Sequence, residues 1–342
     1  MKLRYSLILS FVITLSTFAN EPKEGLLWRI SGNGLAQPSY LFGTWHGDTE
    51  LRNHSFLDSV PGFHKAFNST HQYMGERNLL AQQPKKQNVS QKIFLPKDTL
   101  YSDLLNQKDL NKLDSFLTKK IHTNSSTVNI RPSMLQYVLA QMIMEDTVRS
   151  RIRQQIKMLE SATNIPDSVV IARREQLYTE QDKMDVYLLK KANERKEELF
   201  GLDELIEFQA LDIFTDNTSL KEEADSLISS ITNMETHSFV DSMNDLTFPM
   251  RNAYREQDIN KVKEEKQKQL DQLIASSKNM KKKAPDLMQS ISVDRNKKWM
   301  NHIPTYIANK STFIAVGALH LPGKDGLINL LREAGYTVEQ VE

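Results

Sequence analysis

Ser39-Tyr40-Leu41-Phe42-Gly43-Thr44-Trp45-His46, near the start of the chain, and Phe313-Ile314-Ala315-Val316-Gly317-Ala318-Leu319-His320, near its end, share one pattern. In each a β-prone run closes on a glycine and a histidine follows three residues later. Open α/β sheets bind ligands outside the carboxyl ends of their strands. The pattern therefore predicts a sheet built from both termini, with two imidazoles delivered to one edge as a metal-binding or acid/base pair.

Around these runs the termini read as α/β. Leu26 to Ile30 is a predicted strand, and Asn33-Gly34 supplies turn chemistry before the strand ending at Phe42. Val60, Phe63 and Phe67 recur at helical spacing within Val60 to Asn68. A short β-like piece, Thr70 to Met74, then ends in Gly75-Glu76. At the far end Lys324 to Ala334 predicts a helix stopped by Gly335, and Tyr336 to Val338 a last strand.

The middle differs. Residues from about 82 to 290 read as mainly helical, polar on their outer faces and broken by loops at Gln82–Gln91 and Thr123–Ile130. Met134 to Met144 is the most apolar piece and predicts a buried helix. Arg255 to Lys283, rich in Lys, Glu and Gln, predicts a solvated helix face or an arm. The expected fold class is α/β: a mixed central sheet from about 24–81 and 292–342, with a large helical insertion at about 82–290.

Composition narrows the partners. The chain has 342 residues and formal net charge +1. Lys2 and Arg4 precede the apolar run Leu7 to Phe18, and Ala19 offers a small residue for cleavage. Residues 1–19 thus predict a secretory signal, too short for an ordinary span. Its removal takes away Lys2 and Arg4 and leaves the rest, residues 20–342, near neutrality, so no electrostatic footprint for nucleic acid or an anionic membrane is expected. No cysteine is present, which excludes disulfides, thiolate metal sites and cysteine lipidation. A periplasmic or secreted protein, without a stable membrane span after cleavage, is expected.

Four side chains are candidates for chemistry. His46 and His320 share a frame that His54, His64, His71, His122, His237 and His302 lack. Glu76 follows another strand end and would complete a nitrogen/oxygen ligand set or hold a water as general base. Asp48 is placed either to orient His46 or to cap the next turn. Asp294 looks like an N-cap, after which Arg295, Trp299, Ile303 and Tyr306 recur at helical spacing. That sets a guanidinium on an apolar stripe, where it requires an anionic partner and stands ready to stabilise an oxyanion. Asn296 beside it offers a hydrogen bond. Gly-x-Ser-x-Gly, His-Glu-x-x-His, phosphate-loop and dinucleotide patterns are all absent.

These residues resemble the TraB/GumN family, relatives of the Tiki proteins. The likeness rests on Pro38 to His46 and on Phe313 to Leu327, with Leu95-Pro96, Leu104-Leu105, Arg131-Pro132, Met184-Asp185, Tyr187-Leu188, Arg295-Asn296 and Trp299 between them. The resemblance implies an α/β core related to the erythromycin-esterase and ChaN-like folds. Its paired Gly-x-x-His motifs, glutamate and arginine fall on His46, His320, Glu76 and Arg295. Where the family often has Gly-Leu-Glu, this chain has Gly201-Leu202-Asp203, and the segment before Glu76 is more polar than usual.

The leading expectation is an exported metal-dependent hydrolase acting on a peptide or protein. His46, His320 and Glu76 would hold a divalent ion (manganese, cobalt, zinc or iron), with Glu76 and Arg295 as catalytic groups. The alternatives are a peptide-sequestering protein without chemistry and a haem- or iron-binding protein.

Overall fold

Strand β1 (Leu27–Ser31) and strand β2 (Ser39–Thr44) form an antiparallel pair, joined through the Gly32-Asn33-Gly34 turn, in which all three residues take positive φ. The computed structural model describes residues 23–46, 51, 54–81, 93–161, 166–180, 182–205, 219–236, 238–276 and 289–342. The expected signal at 1–19, Asp48, His237 and the loop Gln82–Gln91 lie outside the described residues.

The remaining elements follow in chain order. A 3-10 turn (His54–Ser59) leads to α1 (Phe63–Ser69) and β3 (Gln72–Gly75). Next come α2 (Tyr101–Leu104), α3 (Gln107–Ile121), α4 (Pro132–Glu160), α5 (Asp167–Glu180) and α6 (Met184–Glu194). Strand β4 (Glu198–Gly201) runs directly into α7 (Leu202–Leu205). Then come α8 (Leu220–Met234), α9 (Ser238–Arg255) and α10 (Ile259–Ser276). A π-helical turn (Gln289–Val293) opens into α11 (Asp294–Trp299), followed by α12 (Ile303–Asn309). The chain closes with β5 (Thr312–Gly317), α13 (Leu327–Glu333) and β6 (Thr337–Gln340).

The six strands form one mixed sheet in the order β4-β3-β5-β2-β1-β6. Strands β4, β3, β5 and β2 are parallel, and β1 pairs antiparallel with both β2 and β6. The α/β class and the sheet drawn from both termini are as the sequence indicates. Among the described residues between about 82 and 290 helices dominate, and the one named strand, β4, pairs with β3 and belongs to the sheet. Four residues are too few to show a strand period, so the sequence gives β4 no signature.

Alternating faces of these strands bury two aromatic and aliphatic layers. On one face Phe313 meets Phe42, Phe63 and Phe67 at ring separations of 6.1, 5.7 and 4.9 Å. On the other, Ile314, Val316 and Leu41 lie in the same core cluster as Trp299, Leu321, Leu327 and Leu331. A second cluster joins α2, α3, α4 and α8 around Phe116, Leu117, Leu135, Leu227 and Ile231. The predicted apolar helix is α4. It buries Met134, Leu135 and Leu139 yet exposes Tyr137, Val138 and Met142, so it is one-sided rather than enclosed. In the Lys/Glu-rich helix, α10, Ile259, Val262 and Leu270 are buried.

One expectation fails in detail. Asp294 is not an N-cap: the residue before α11, Val293, already has helical angles because the π-turn feeds straight into it, and Asp294 accepts a hydrogen bond from Gln289 instead. The predicted single stripe is also split at residues 300–302 into α11 and α12.

Phe313→Ala removes the ring on which three others converge. The expected loss is about 3–5 kcal/mol of stability, read from urea denaturation midpoints. A loss under 1 kcal/mol would contradict the packing described.

Candidate active site

The parallel strands β3, β5 and β2 end side by side, and their last residues carry the site. Register pairs Gly75 with Ala315 and Thr44 with Gly317, so Glu76, His46 and His320 all leave the sheet at the same edge. At Gly317 a β-carbon would sit 3.1 Å from Glu76 Oε1, 3.6 Å from His46 Cε1 and 3.7 Å from His320 Cδ2. A carboxylate and two imidazoles thus gather over one glycine, and a β-carbon there would crowd the Glu76 oxygen that accepts the Gly317 amide at 2.7 Å.

Arg295 reaches the cluster from α11. Its Nη2 donates to Glu76 Oε2 at 2.5 Å and to Asp203 Oδ2 at 2.9 Å, its Nε donates to Asp203 Oδ1 at 3.1 Å, and its Nη1 lies 3.2 Å from His320 Nε2. All four side chains are nearly buried. The anionic partner that burial of an arginine requires is therefore a pair of carboxylates. Trp299 underlies both Arg295 and His320: its ring lies 4.6 Å from the Arg295 guanidinium and 4.5 Å from the His320 ring, and its indole donates to Asp203 Oδ1 at 3.2 Å.

Hydrogen bonding decides the His320 tautomer. Asn296 Nδ2 donates to the carbonyls of His320 and Asp325 at 3.0 and 2.8 Å. Its Oδ1 must then be the acceptor for His320 Nδ1, 2.6 Å away. The proton sits on Nδ1 and the Nε2 lone pair faces Arg295 and Glu76. Burial, outweighing the pull of Glu76, drops the His320 pKa to about 3, so the ring is neutral.

His46 is in the opposite state. Its Nε2 lies 2.5 Å from Asp185 Oδ2 and 3.0 Å from Thr44 Oγ1. Desolvation by the surrounding protein opposes the charge, yet Asp185 and then Glu76 raise its pKa to about 9. The two carboxylates on Arg295 also diverge. Glu76 resists its own desolvation through His320, His46 and Arg295 and stays ionised far below the usual range, whereas burial lifts Asp203 to about 6 against the pull of Arg295.

All four predicted site residues therefore meet. Asp185 and Asp203 are additional members. Asp185 stands in the first turn of α6, and Asp203 in the turn that follows β4, where its backbone amide donates to the Glu76 carbonyl at 2.9 Å. Neither had a sequence signal of its own beyond the Met184-Asp185 and Gly201-Leu202-Asp203 segments.

As a ligand set the cluster fits a divalent ion in kind: imidazole nitrogen and carboxylate oxygen. His320 Nε2 and Glu76 Oε1 stand 3.6 Å apart, close to the roughly 3–3.5 Å between two donors each about 2.1 Å from one ion. His46 is turned to Asp185 and carries the proton that a ligand must lose. Among the described residues no three His, Asp or Glu side chains stand ready spaced around an ion.

The chain matches the TraB/PrgY/gumN family over residues 26–340, nearly its whole length, and belongs to that family. No curated protein and no solved structure matches it.

Two measurements probe the assigned states. Nitrogen-15 NMR of His320 should show the Nδ1–H tautomer, and Asn296→Ala should release it to a mixture; an Nε2–H ring in the parent would refute the assignment. His46 should titrate near pH 9, and Asp185→Asn should lower that value by more than one unit. Because the folded pKa lies above the unfolded 6.5, the stabilisation from this pair is complete below pH 6.5 and fades as pH rises through 9.

Proposed function

We propose that this member of the TraB/PrgY/gumN family is a metal-dependent hydrolase of peptides. The single observation that supports this reading is the convergence of His46, Glu76 and His320 on Gly317, with a buried arginine against them. His320, through the Nε2 lone pair that now faces Arg295, and Glu76, through Oε1, would hold the divalent ion once Arg295 Nη1 gives way, joined by His46 once its proton has left. When bound, the ion supplies Lewis acidity to a substrate carbonyl and lowers the pKa of a water.

The protein's own residues supply the rest. Asn296 keeps the His320 proton away from the site. Asp203 grips Arg295 by Nε and Nη2, which fixes the guanidinium plane; Nη1, now 3.2 Å from His320 Nε2, would reach a developing oxyanion by exchanging that contact. Glu76, ionised and anchored by the Gly317 amide, would orient an attacking water and serve as its base once Arg295 and the imidazoles shift away from the carboxylate. Along α6, which carries Asp185, a cleft of about 440 Å³ is lined by Phe63, Phe67, Tyr187 and Leu188, with Lys191 among its polar walls. The same reading carries kinship with the erythromycin-esterase and ChaN-like folds, and work in the periplasm or outside the cell after loss of residues 1–19.

One observation favours a second reading, peptide capture without chemistry: Arg295 already donates to the His320 lone pair, and Asp185 already holds His46. Elemental analysis and peptide turnover by the chain and by His320→Ala decide between them. The hydrolase predicts about one bound divalent ion, and turnover lost at least a thousandfold in His320→Ala under conditions where circular dichroism shows the variant folded. Peptide binding with no bound ion and no turnover in the parent chain would replace it with the capture reading.

A further inference from the structure

A divalent ion that recruits His46 takes it away from Asp185. Asp185 Oδ2 lies 2.5 Å from His46 Nε2, while its Oδ1 is buried and has no hydrogen-bond partner. Among the described residues His46 is the one side chain that pairs with this carboxylate. Once His46 turns to the ion, Asp185 is an ionised group in a dry place with neither oxygen satisfied, which is costly.

The complementary group is Tyr73. It is fully buried on β3, and its hydroxyl also has no hydrogen-bond partner. A buried phenol left unpaired calls for an explanation, and its placement supplies one. Side chains alternate along a strand, so Tyr73 and Gly75 share a face of β3. The ring folds forward over Gly75: a β-carbon there would sit 3.2 Å from Tyr73 Cε1 and 3.5 Å from the hydroxyl oxygen. The phenol thus reaches the end of the strand that carries Glu76, within the core cluster that also holds Met184, Leu188 and Leu189 of α6. Desolvation first, and then the negative charge of Asp185, Glu76 and Glu197, hold its pKa far above the ordinary value, so it keeps its proton and is a donor.

The other groups nearby are spent. Glu76 gives Oε1 to the Gly317 amide and Oε2 to Arg295. Glu197 directly precedes β4, whose pairing with β3 puts it at the opposite end of the strands from Gly75. Tyr254, a second phenol in the field of Asp185, donates to the Gly43 carbonyl at 2.8 Å.

We propose that Tyr73 is a positioning residue whose hydroxyl takes over Asp185 when His46 is released to the divalent ion, so that the carboxylate alternates between an imidazole and a phenol partner. The half-exposed His46 ring passes its proton to solvent as it leaves. This inference rests on the ion-dependent reading above and adds to it the residue that steadies Asp185 in the loaded site.

Calorimetric titration of manganese, cobalt or zinc ions, each alone, into the parent chain and Y73F tests the idea, together with melting curves of both in chelator. Y73F keeps the ring and loses only the hydroxyl. It should bind the tightest of the three ions at least about fivefold more weakly, the loss expected for a hydrogen bond to a charged group. In chelator its melting temperature should match or exceed that of the parent, because an unpaired buried hydroxyl adds no stability. A tyrosine that only packs would leave ion affinity unmoved, and one already hydrogen-bonded would lose melting temperature when truncated. On a D185N background, where the charge to be steadied is gone, Y73F should change ion affinity less than about twofold. Equal ion affinity of parent and Y73F, a lowered melting temperature of Y73F in chelator, or a full Y73F effect in D185N would each overturn the proposal and leave the hydrolase reading standing. No ion bound by the parent would overturn both.

Discussion

A guanidinium enclosed by protein is costly, and Arg295 is tolerated only because Asp203 and Glu76 grip it from two sides. The three side chains come from the ends of β4 and β3 and from α11, so this ion triad ties one helix to the ends of two neighbouring strands. Removing either carboxylate would leave charge unbalanced in a dry place, with a cost of the order of 3–5 kcal/mol. Everything else at the edge is arranged around that constraint. Trp299 lies against the guanidinium and donates to Asp203, and Asn296, next in sequence, reaches back to His320. Helix α11 therefore positions arginine, tryptophan and histidine together.

The triad also separates like groups into unlike states. Two imidazoles sit over one glycine, yet His46 is held as a cation by Asp185 while His320 is kept neutral by burial. Two carboxylates bind one arginine, yet Glu76 remains ionised while Asp203 is lifted toward neutrality. Pairs of titratable groups driven apart in this way are how a site comes to hold a donor and an acceptor at one pH. The asymmetry arises from position. Glu76 faces both imidazoles as well as Arg295, while Asp203 lies behind the guanidinium, against Trp299.

Much of this was legible in residue order. The strands ending at Thr44 and Gly317 announce themselves through β-branched and aromatic runs, and burial of Arg295 follows from its place on a stripe with Trp299 and Ile303. Strand β4 and Asp203 did not show, because a four-residue strand carries no period and a lone aspartate no frame. Asp185 escaped for a related reason. Its partnership with His46 spans 139 positions and depends on how α6 lies over the sheet, a tertiary fact without a local trace. The N-cap expected at Asp294 failed because a π-turn, which no short-range pattern specifies, supplies the helical start.

The two Gly-x-x-His frames look equivalent, but the sheet makes them unequal. Thr44, not Gly43, pairs with Gly317, so the motifs are out of register by one residue. In a pleated sheet a shift of one turns a side chain to the opposite face. Gly43 accordingly faces the turn after β5, where a β-carbon would come within 3.1 Å of the Ala318 α-carbon, whereas Gly317 faces Glu76 and both imidazoles. One glycine lets two chain segments pack; the other leaves the site open. The same offset separates the histidines: His320 leaves a 3-10 turn directly after its strand and is buried, and His46 follows a strand that runs straight on and stays 44% exposed. Their opposite protonation states follow from these surroundings: Asp185 lies against His46, whereas protein closes over His320.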